Sequence, residues 1–158
     1  VAVKHLLVVA ALASYTAQTE FIDVCKYVDT EKVAYISKTF KQAPDAVVAT
    51  LNTVNSAASR YDLPTSQVLA VIAVESGFNA AAKSKSGAVG LMQITKQSGK
   101  KVDDNIESGV QLLSEYVKRF GSKGVQMYNV GVRGYFSGRR AKDYAAKVTS
   151  YQRVFEAL

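Results

Sequence analysis

Residues 65–78 read TSQVLAVIAVESGF, and residues 84–93 read SKSGAVGLMQ. In the first stretch the apolar residues from Val68 to Val74 predict a strongly apolar helix. Thr65 fits the N-cap position of that helix, and Gly77 is typical of the residue that ends one. The second stretch starts with Ser, Lys and Gly, which predicts a loop leading into a short apolar segment. This part of the chain therefore reads as a buried helix followed by a loop.

Glu75 lies one turn after Val71 and Ile72, which places its carboxyl on the apolar face at the C-terminal end of the predicted helix. Burial there disfavours the charged form, and the negative end of the helix dipole acts in the same direction, so we expect a raised pKa. A carboxyl that stays protonated near neutral pH is suited to general acid catalysis. Helical periodicity alone, however, favours an ordinary solvated glutamate at a helix end.

The rest of the chain is also mainly helical in pattern. Helical spacing recurs in residues 45–61, 105–120 and 143–158. Asp45 fits an N-cap, residues 125–130 form a short apolar segment, and residues 131–138 are loop-like. The chain has two prolines and little strand-like alternation, so we predict a mainly α fold, and a length of 158 residues favours one domain.

Composition excludes several classes of protein. Cys25 is the single cysteine and His5 the single histidine, which excludes a disulfide scaffold, a CxxC zinc site and a histidine-based catalytic triad in the domain. No apolar run is long enough to span a bilayer. Residues 1–117 carry 11 basic and 11 acidic groups, whereas residues 118–158 carry 9 basic and 2 acidic groups. The whole net charge of +7 therefore lies in the last quarter of the chain, which indicates an anionic partner for that region.

The N-terminal part has the pattern of a targeting segment. Residues 1–17 combine a basic start, a short apolar run and small residues suited to cleavage, which predicts a signal peptide and a periplasmic or exported protein. A retained N-terminal helix or anchor is the alternative, and it would suit a component of a phage particle that acts in the host envelope. We assign residues 18–43 to an N-terminal extension and residues 44–158 to the domain. Cys25 is interpreted as a lone thiol outside that domain.

Five motifs occur in order along the predicted domain. They are E-S-x-F at 75–78, S-x-x-G-A-x-G-L-M-Q at 84–93, N-I-x-x-G at 105–109, Y-N-x-G at 128–131 and Y-x-x-K-V at 144–148. In this set the chain resembles the family-1 soluble lytic transglycosylase (SLT) domain over residues 45–158. The resemblance implies a lysozyme-like fold, a small helical bundle around a glycan-binding cleft, and peptidoglycan glycan strands as the substrate.

The resemblance also implies a mechanism that needs one acid. Most glycosidases use two carboxylates, whereas here Glu75 is the acid in the motif core, and Asp103, Asp104, Glu107 and Glu115 stand in no matching motif. In the family that this chain resembles, the 6-hydroxyl of N-acetylmuramic acid attacks its own anomeric carbon and gives a 1,6-anhydro sugar. Glu75 would then serve first as acid and afterwards as base, and no metal or organic cofactor is implied.

The remaining site residues are assigned by their motif positions. The resemblance implies substrate contacts for Ser84, Gln93, Thr95, Tyr128, Asn129 and Tyr144, and a cleft-shaping role for Gly87, Gly90, Leu91 and Met92. Tyr128 would direct its hydroxyl toward Glu75, and the two glycines would let the backbone approach the sugar. Each residue also has an ordinary structural interpretation, such as turn chemistry for the glycines and core packing for Leu91 and Met92.

The chain departs from the family pattern at two places. Many members have Met and then Pro where this chain has Thr95 and Lys96, and the tyrosine motif continues as Val130-Gly131-Val132 where A-G-P is common. Residues 132–142 then interleave basic and aromatic side chains. This segment fits either a solvated loop or contact with acidic stem peptides and other wall anions. Nucleic-acid binding is disfavoured, because no nucleic-acid fold motif accompanies it.

Three functions remain as hypotheses at this point. The first is a lytic transglycosylase that opens the wall locally, for a secretion or conjugation apparatus or for phage genome entry with a tail or core assembly as partner. The second is a hydrolase similar to goose-type lysozyme, which also relies on a lone glutamate and would need a group to activate water. The third is an assembly protein with the same fold and weak activity, which the intact Glu75, Gln93 and Tyr128 argue against.

Overall fold

The structure of the chain, a computed structural model, describes residues 29–95 and 102–158. Within these ranges the chain forms seven helices: α1 (Thr30–Phe40), α2 (Pro44–Tyr61), α3 (Thr65–Ser76), α4 (Val102–Phe120), α5 (Lys123–Val130), α6 (Val132–Phe136) and α7 (Lys142–Ala157). The described ranges contain no β-strand, although Val89 makes isolated antiparallel bridges to Lys83 and Ile94. The predicted mainly α fold is confirmed.

Helix α3 occupies the centre of the domain. Residues 68–72 have no solvent-exposed surface, since the helix is apolar on all sides and packs most extensively against α7. Gly77 ends α3 in a left-handed conformation, as predicted, and the next residue, Phe78, turns its ring into the core. The position of Glu75, one residue before the end of α3, is therefore set by the most buried element of the fold.

Two helices begin differently from the predicted caps. Pro44 is the first residue of α2 and Ala43 its N-cap, so Asp45 lies in the first turn. Likewise Pro64 is the N-cap of α3, and Thr65 is its first residue. The N-cap predictions for Asp45 and Thr65 are wrong because each proline already supplies the helix start: it lacks an N–H and has a fixed φ.

The segment predicted as a loop at residues 131–138 contains the short helix α6. Local hydrogen bonds close this helix, since the amide of Tyr135 donates to the carbonyl of Gly131 and the hydroxyl of Ser137 to that of Gly134. The Arg139 guanidinium packs against Gly134, where a Cβ would lie 2.7 Å from it. Gly131 is thus the N-cap of this short helix, and Gly134 leaves room for the Arg139 side chain.

Helix α1 belongs to the packed core although it precedes residue 44. Ile36 is fully buried, and the ring of Tyr35 contacts that of Phe155 with centroids 5.8 Å apart. Phe40 contacts Phe78 at 5.0 Å and Tyr151 at 5.7 Å. The core therefore extends into the segment that we assigned to the N-terminal extension. The assigned signal or anchor segment 1–17 and residues 18–28 of the extension, which include Cys25, lie outside the described residues.

None of the helices in the described ranges has the length and apolar character needed to cross a bilayer.

The contact between α4 and α5 allows no added volume at Gly124. A Cβ on Gly124 would lie 2.5 Å from the main-chain carbonyl of Tyr116, so a substitution must push the two helices apart. We expect Gly124→Ala to lower the free energy of unfolding by about 1–3 kcal/mol in urea denaturation. Lys123→Ala, at the exposed neighbouring position, should change it by less than about 0.5 kcal/mol. Equal stability of the two variants would contradict this account of the helix contact.

Candidate active site

The carboxyl of Glu75 lies at the contact between α3 and α7. Its Oε1 accepts a hydrogen bond of 2.7 Å from the hydroxyl of Tyr144 on α7. Burial raises the pKa of Glu75 above its ordinary value, and the Tyr144 hydrogen bond opposes that shift without cancelling it. Neither of the two ion pairs found among the described residues involves Glu75. The carboxyl is thus biased toward the protonated form while one donor supports the charged form.

Two tyrosines surround this carboxyl, and both keep their protons. Burial and the charge of Glu75 raise the pKa of Tyr144 far above its ordinary value. Burial and the same charge also raise the pKa of Tyr128. The Tyr128 hydroxyl donates to the main-chain carbonyl of Met92 at 2.8 Å. The hydroxyl that we expected from Tyr128 at Glu75 is therefore supplied by Tyr144, and Tyr128 holds the loop that follows α3.

That loop is tied down by an asparagine for which the sequence analysis proposed no role. Asn105, in the first turns of α4, accepts from the Met92 amide at 2.9 Å and donates to the Val89 carbonyl at 2.9 Å. A Cβ on Gly90 would lie 2.7 Å from the Asn105 amide group. The missing side chain of Gly90 therefore makes room for Asn105. The N-I-x-x-G motif contained the signal, because a buried asparagine at a helix start needs backbone partners.

A second tie runs from the last turn of α3. The hydroxyl of Ser76 donates to the Leu91 carbonyl at 2.8 Å, so the residue beside Glu75 is bonded to the loop. Leu91 and Met92 are buried in the core. A Cβ on Gly109 would lie 2.6 Å from the Cβ of Met92, which shows how closely α4 approaches the loop. The buried side chains of Leu91 and Met92 thus anchor the loop to the hydrophobic core.

Gln93 and Ser84 combine loop bonds with a position on the cleft. Gln93 lies in a turn with φ of 49°, and its Nε2 donates to the carbonyls of Gly90 at 2.9 Å and Ala82 at 3.2 Å. The Ser84 hydroxyl accepts from the Ala88 amide at 2.9 Å and lies 3.0 Å from the Ser86 hydroxyl. Side-chain hydrogen bonds therefore shape the loop around both residues.

A cleft of about 480 Å³ opens beside Glu75. The described residues that line it are Glu75, Ser84, Ser86, Ala88, Gln93, Ile94, Thr95, Leu112, Tyr116, Tyr128, Asn129, Val130 and Gly131. Most of the predicted substrate contacts are thus brought together, and Tyr144 joins them through its bond to Glu75. Gly87, Gly90, Leu91 and Met92 are not part of this lining. Leu112 and Tyr116 of α4 were not predicted, although their apolar and aromatic character on an amphipathic helix was a usable signal.

The other candidate acids are placed elsewhere. Glu107 accepts from Arg60 at 2.6 Å and from the Tyr61 hydroxyl at 2.9 Å, on a separate surface depression that Asp104 also lines. Glu115 is exposed and accepts from Gln111. The side chain of Asp103 lies outside the described residues. In the part of the cleft lining that the structure describes, Glu75 is therefore the carboxyl that faces the cavity.

No cluster of three or more His, Cys, Asp or Glu side chains suited to a metal ion occurs among the residues described by the structure.

Comparison with known proteins assigns this arrangement to a family. A family model for the transglycosylase SLT domain matches residues 52–149, well over half of the chain. The chain belongs to the SLT transglycosylase family. The matched range of this SLT domain contains Glu75, Tyr144, the loop after α3 and the whole described cleft lining. Helix α1 lies outside it, so the aromatic contacts of α1 are additions to the matched unit.

A relative of the SLT domain is known from a bacteriophage. The chain is 30% identical over 107 residues to a protein named transglycosylase from Enterobacteria phage PRD1. The aligned region covers 63% of this chain and 38% of the phage protein. The chain thus spans well under half the length of that relative.

The glycines of the loop provide a matched pair of substitutions. Gly90 and Gly87 have φ of 78° and 83°, so alanine is strained at both positions, but only the Gly90 site has a neighbour within 4 Å of an added Cβ. We expect Gly87→Ala to lower the free energy of unfolding by about 1–2 kcal/mol. Gly90→Ala should lower it by about 2–4 kcal/mol, because it also displaces Asn105. Thermal or urea unfolding measures the difference, and equal losses would show that the Asn105 contact is unimportant.

The bond between Tyr144 and Glu75 predicts a direction of titration. Tyr144→Phe removes a hydrogen bond that stabilises the charged carboxylate, so the pKa of Glu75 should rise further. Carbon-13 NMR of the Glu75 carboxyl across pH 3–9 would measure this shift. Tyr151→Phe is the control, since Tyr151 packs by its ring against Phe40 and Phe155. A Glu75 titration that is unchanged in Tyr144→Phe would contradict the assigned role of the hydroxyl.

Proposed function

We propose that this SLT domain is a peptidoglycan lytic transglycosylase in which Glu75 is both the general acid and the general base. The observation that carries the proposal is the carboxyl of Glu75, which faces the cleft with a pKa raised by burial and with a protonated tyrosine as its hydrogen-bond donor. The name of the phage relative and the family match support the same activity. The proposed substrate is the MurNAc-β-1,4-GlcNAc bond of the glycan strand.

In the first step, protonated Glu75 donates its proton to the glycosidic oxygen. The bond between this oxygen and the anomeric carbon of N-acetylmuramic acid breaks, and the leaving sugar departs with a free 4-hydroxyl. The muramic acid ring becomes cation-like, and its own N-acetyl group stabilises it. Burial of Glu75 favours this step, because it keeps the carboxyl protonated at a pH where an exposed glutamate has lost its proton.

In the second step, the Glu75 carboxylate removes the proton from the 6-hydroxyl of the same muramic acid. The 6-oxygen bonds to the anomeric carbon and gives the 1,6-anhydro sugar, and Glu75 is again protonated. Water is neither consumed nor released. The Tyr144 hydroxyl supports the carboxylate between the two steps, since a hydrogen bond to the charged form stabilises it.

The substrate supplies the nucleophile in this scheme. A second carboxylate is therefore unnecessary, in contrast to most glycosidases. The described cleft lining agrees with this scheme, because Glu75 is the acidic residue that it contains. The separate ion pair of Glu107 with Arg60 gives that carboxylate a structural role.

Polar groups along the cleft would orient the sugars. The Nε2 of Gln93 already makes two loop bonds, so its amide oxygen is the atom suited to accept from a substrate N–H or hydroxyl. Asn129 and Thr95 are exposed on the lining and can bind sugar hydroxyls. Ser84 lies on the same lining, where its side chain meets Ser86. Thr95 provides a polar contact where many family members have methionine.

The cellular role that we propose is local opening of the cell wall. The phage origin of the relative favours a component of a phage particle that acts in the host envelope during genome entry. An exported or periplasmic enzyme that serves a secretion or conjugation apparatus is the second candidate. The biochemical alternatives are a goose-type-like muramidase, which hydrolyses the same bond, and an assembly protein of low activity.

Digestion of purified peptidoglycan separates these activities. We expect wild-type protein to release anhydro-muropeptides, whereas Glu75→Gln should be about 10²–10⁴-fold slower because it can neither donate nor accept the proton. Glu107→Gln should cleave like the wild type, since Glu107 lies outside the cleft. Mass spectrometry of the products is the readout.

Products heavier by one water would contradict transglycosylation and favour the muramidase. Cleavage that persists in Glu75→Gln would remove Glu75 from the mechanism. The absence of product from wild-type protein would favour the assembly role.

A further inference from the structure

The chain between residues 118 and 142 has seven basic residues and no Asp or Glu. Its cations are Lys118, Arg119, Lys123, Arg133, Arg139, Arg140 and Lys142. No ion pair within the described ranges involves any of them. The proposed reaction uses none of these cations. Such a dense, unneutralised positive charge is suited to an anionic partner.

Aromatic rings lie among these cations and connect them to the cleft. Tyr116 lines the cleft, and its ring contacts that of Phe120 one turn later on α4, with centroids 6.4 Å apart. Phe120 contacts Phe136 on α6 at 6.1 Å, and Phe136 contacts Tyr135 at 6.0 Å. Phe136 is 69% exposed, unusual for a large apolar side chain. The rings thus form a path from the cleft wall to the protein surface.

Two arginine guanidinium groups stack on these rings. The Arg119 guanidinium lies 5.2 Å from the Phe120 centroid, and that of Arg140 lies 4.2 Å from the Tyr135 centroid. Arg140 also donates from Nη1 to the carbonyls of Tyr135 and Arg139, which leaves its other N–H groups available. Arg133 is exposed one turn before Phe136 on α6. Stacked guanidinium groups are held in place for bidentate binding of carboxylates.

We propose that Arg119, Phe120, Arg133, Tyr135, Phe136 and Arg140, here called the basic aromatic surface, bind the glycan strand where it leaves the cleft, together with its acidic stem peptides. This inference rests on the proposed function. Sugar rings present C–H faces that pack on exposed aromatic rings, and the carboxylates of the stem peptides match the arginines.

Continuity with the cleft favours this occupant over other anionic partners. Val130 and Gly131 line the cleft, and α6 begins at the next residue, so the basic aromatic surface adjoins the end of the cleft that these two residues line. A membrane surface would call for several exposed apolar side chains. Here the rings of Phe120 and Tyr135 are each covered by a guanidinium, and Phe136 is the strongly exposed ring of the group.

Binding is tested in a Glu75→Gln background, so that the ligand is not consumed. The ligands are purified peptidoglycan and the same material after an amidase has removed its stem peptides, and binding is measured by co-sedimentation. Arg133→Gln combined with Arg140→Gln should weaken binding to peptidoglycan about three- to thirtyfold and have little effect on the stripped glycan. Phe136→Ala should weaken binding to both ligands about three- to tenfold.

Arg153→Gln is the matched control, since it removes an exposed arginine from α7, outside the basic aromatic surface. It should bind like the parent protein. The urea midpoint of every variant is measured, and the exposure of these side chains predicts midpoints close to that of the parent. Binding of the arginine pair variant should also depend less on salt between 50 and 200 mM, because fewer charges are screened.

Three results would overturn the inference: unchanged binding in all surface variants, an equal loss on peptidoglycan and on stripped glycan in the arginine variant, or tighter surface-dependent binding to DNA or to anionic phospholipid vesicles. The proposed function is judged separately, by the products of the wild-type digest. If peptidoglycan binding depends on the surface but no cleavage product forms, the binding inference is supported and the proposed activity is contradicted. If cleavage is normal but binding does not depend on the surface, the proposed activity is supported and the binding inference is contradicted.

Discussion

The hydrogen bond between Tyr144 and Glu75 joins α3 and α7, the two helices with the most extensive mutual contact in the described part of the chain. Helix α3 is apolar throughout its buried length, so it must lie at the centre of the fold, and its final turn carries the one acidic residue of that helix. Packing against α7 withdraws the carboxyl from water and raises its pKa, while Tyr144 supplies a donor that keeps the charged form accessible. The acid and base roles that we propose for Glu75 would depend on this balance, because each form must be reached in turn.

The conformation of the loop after α3 is fixed by hydrogen bonds from neighbouring helices. Besides hydrogen bonds within its own backbone, the loop is bonded to the helices through the Asn105 side chain, Ser76 and Tyr128. Gly90 makes this arrangement possible, because the Asn105 amide fills the space that a side chain would need. The cleft wall is therefore held by hydrogen bonds from three helices, and a shift of any one of them would move the loop that carries Gln93.

Two features of this chain lie at the margins of the family pattern. Helix α1 precedes the matched residues and packs its aromatic rings against Phe78, just after α3, and against Tyr151 and Phe155 of α7. Of the basic aromatic surface, Arg133, Tyr135, Phe136 and Arg140 follow the point where the tyrosine motif departs from the common sequence, whereas Arg119 and Phe120 precede it. The rings of Phe120, Phe136 and Tyr135 connect to Tyr116 on the cleft lining, so the surface that we propose for the glycan strand continues the cleft wall.

The motif spacing and the apolar run before Glu75 were enough to predict the helical fold, the acid at the end of α3 and the family. These features are local: apolar residues at helical spacing and a C-terminal glycine act within a few turns of chain. The contacts of single side chains are not local. Tyr144 rather than Tyr128 bonds Glu75, Asn105 rather than substrate occupies the space beside Gly90, and α6 replaces a predicted loop. Each of these outcomes depends on the distance and angle between elements far apart in the chain, which are set by the packing of the whole core.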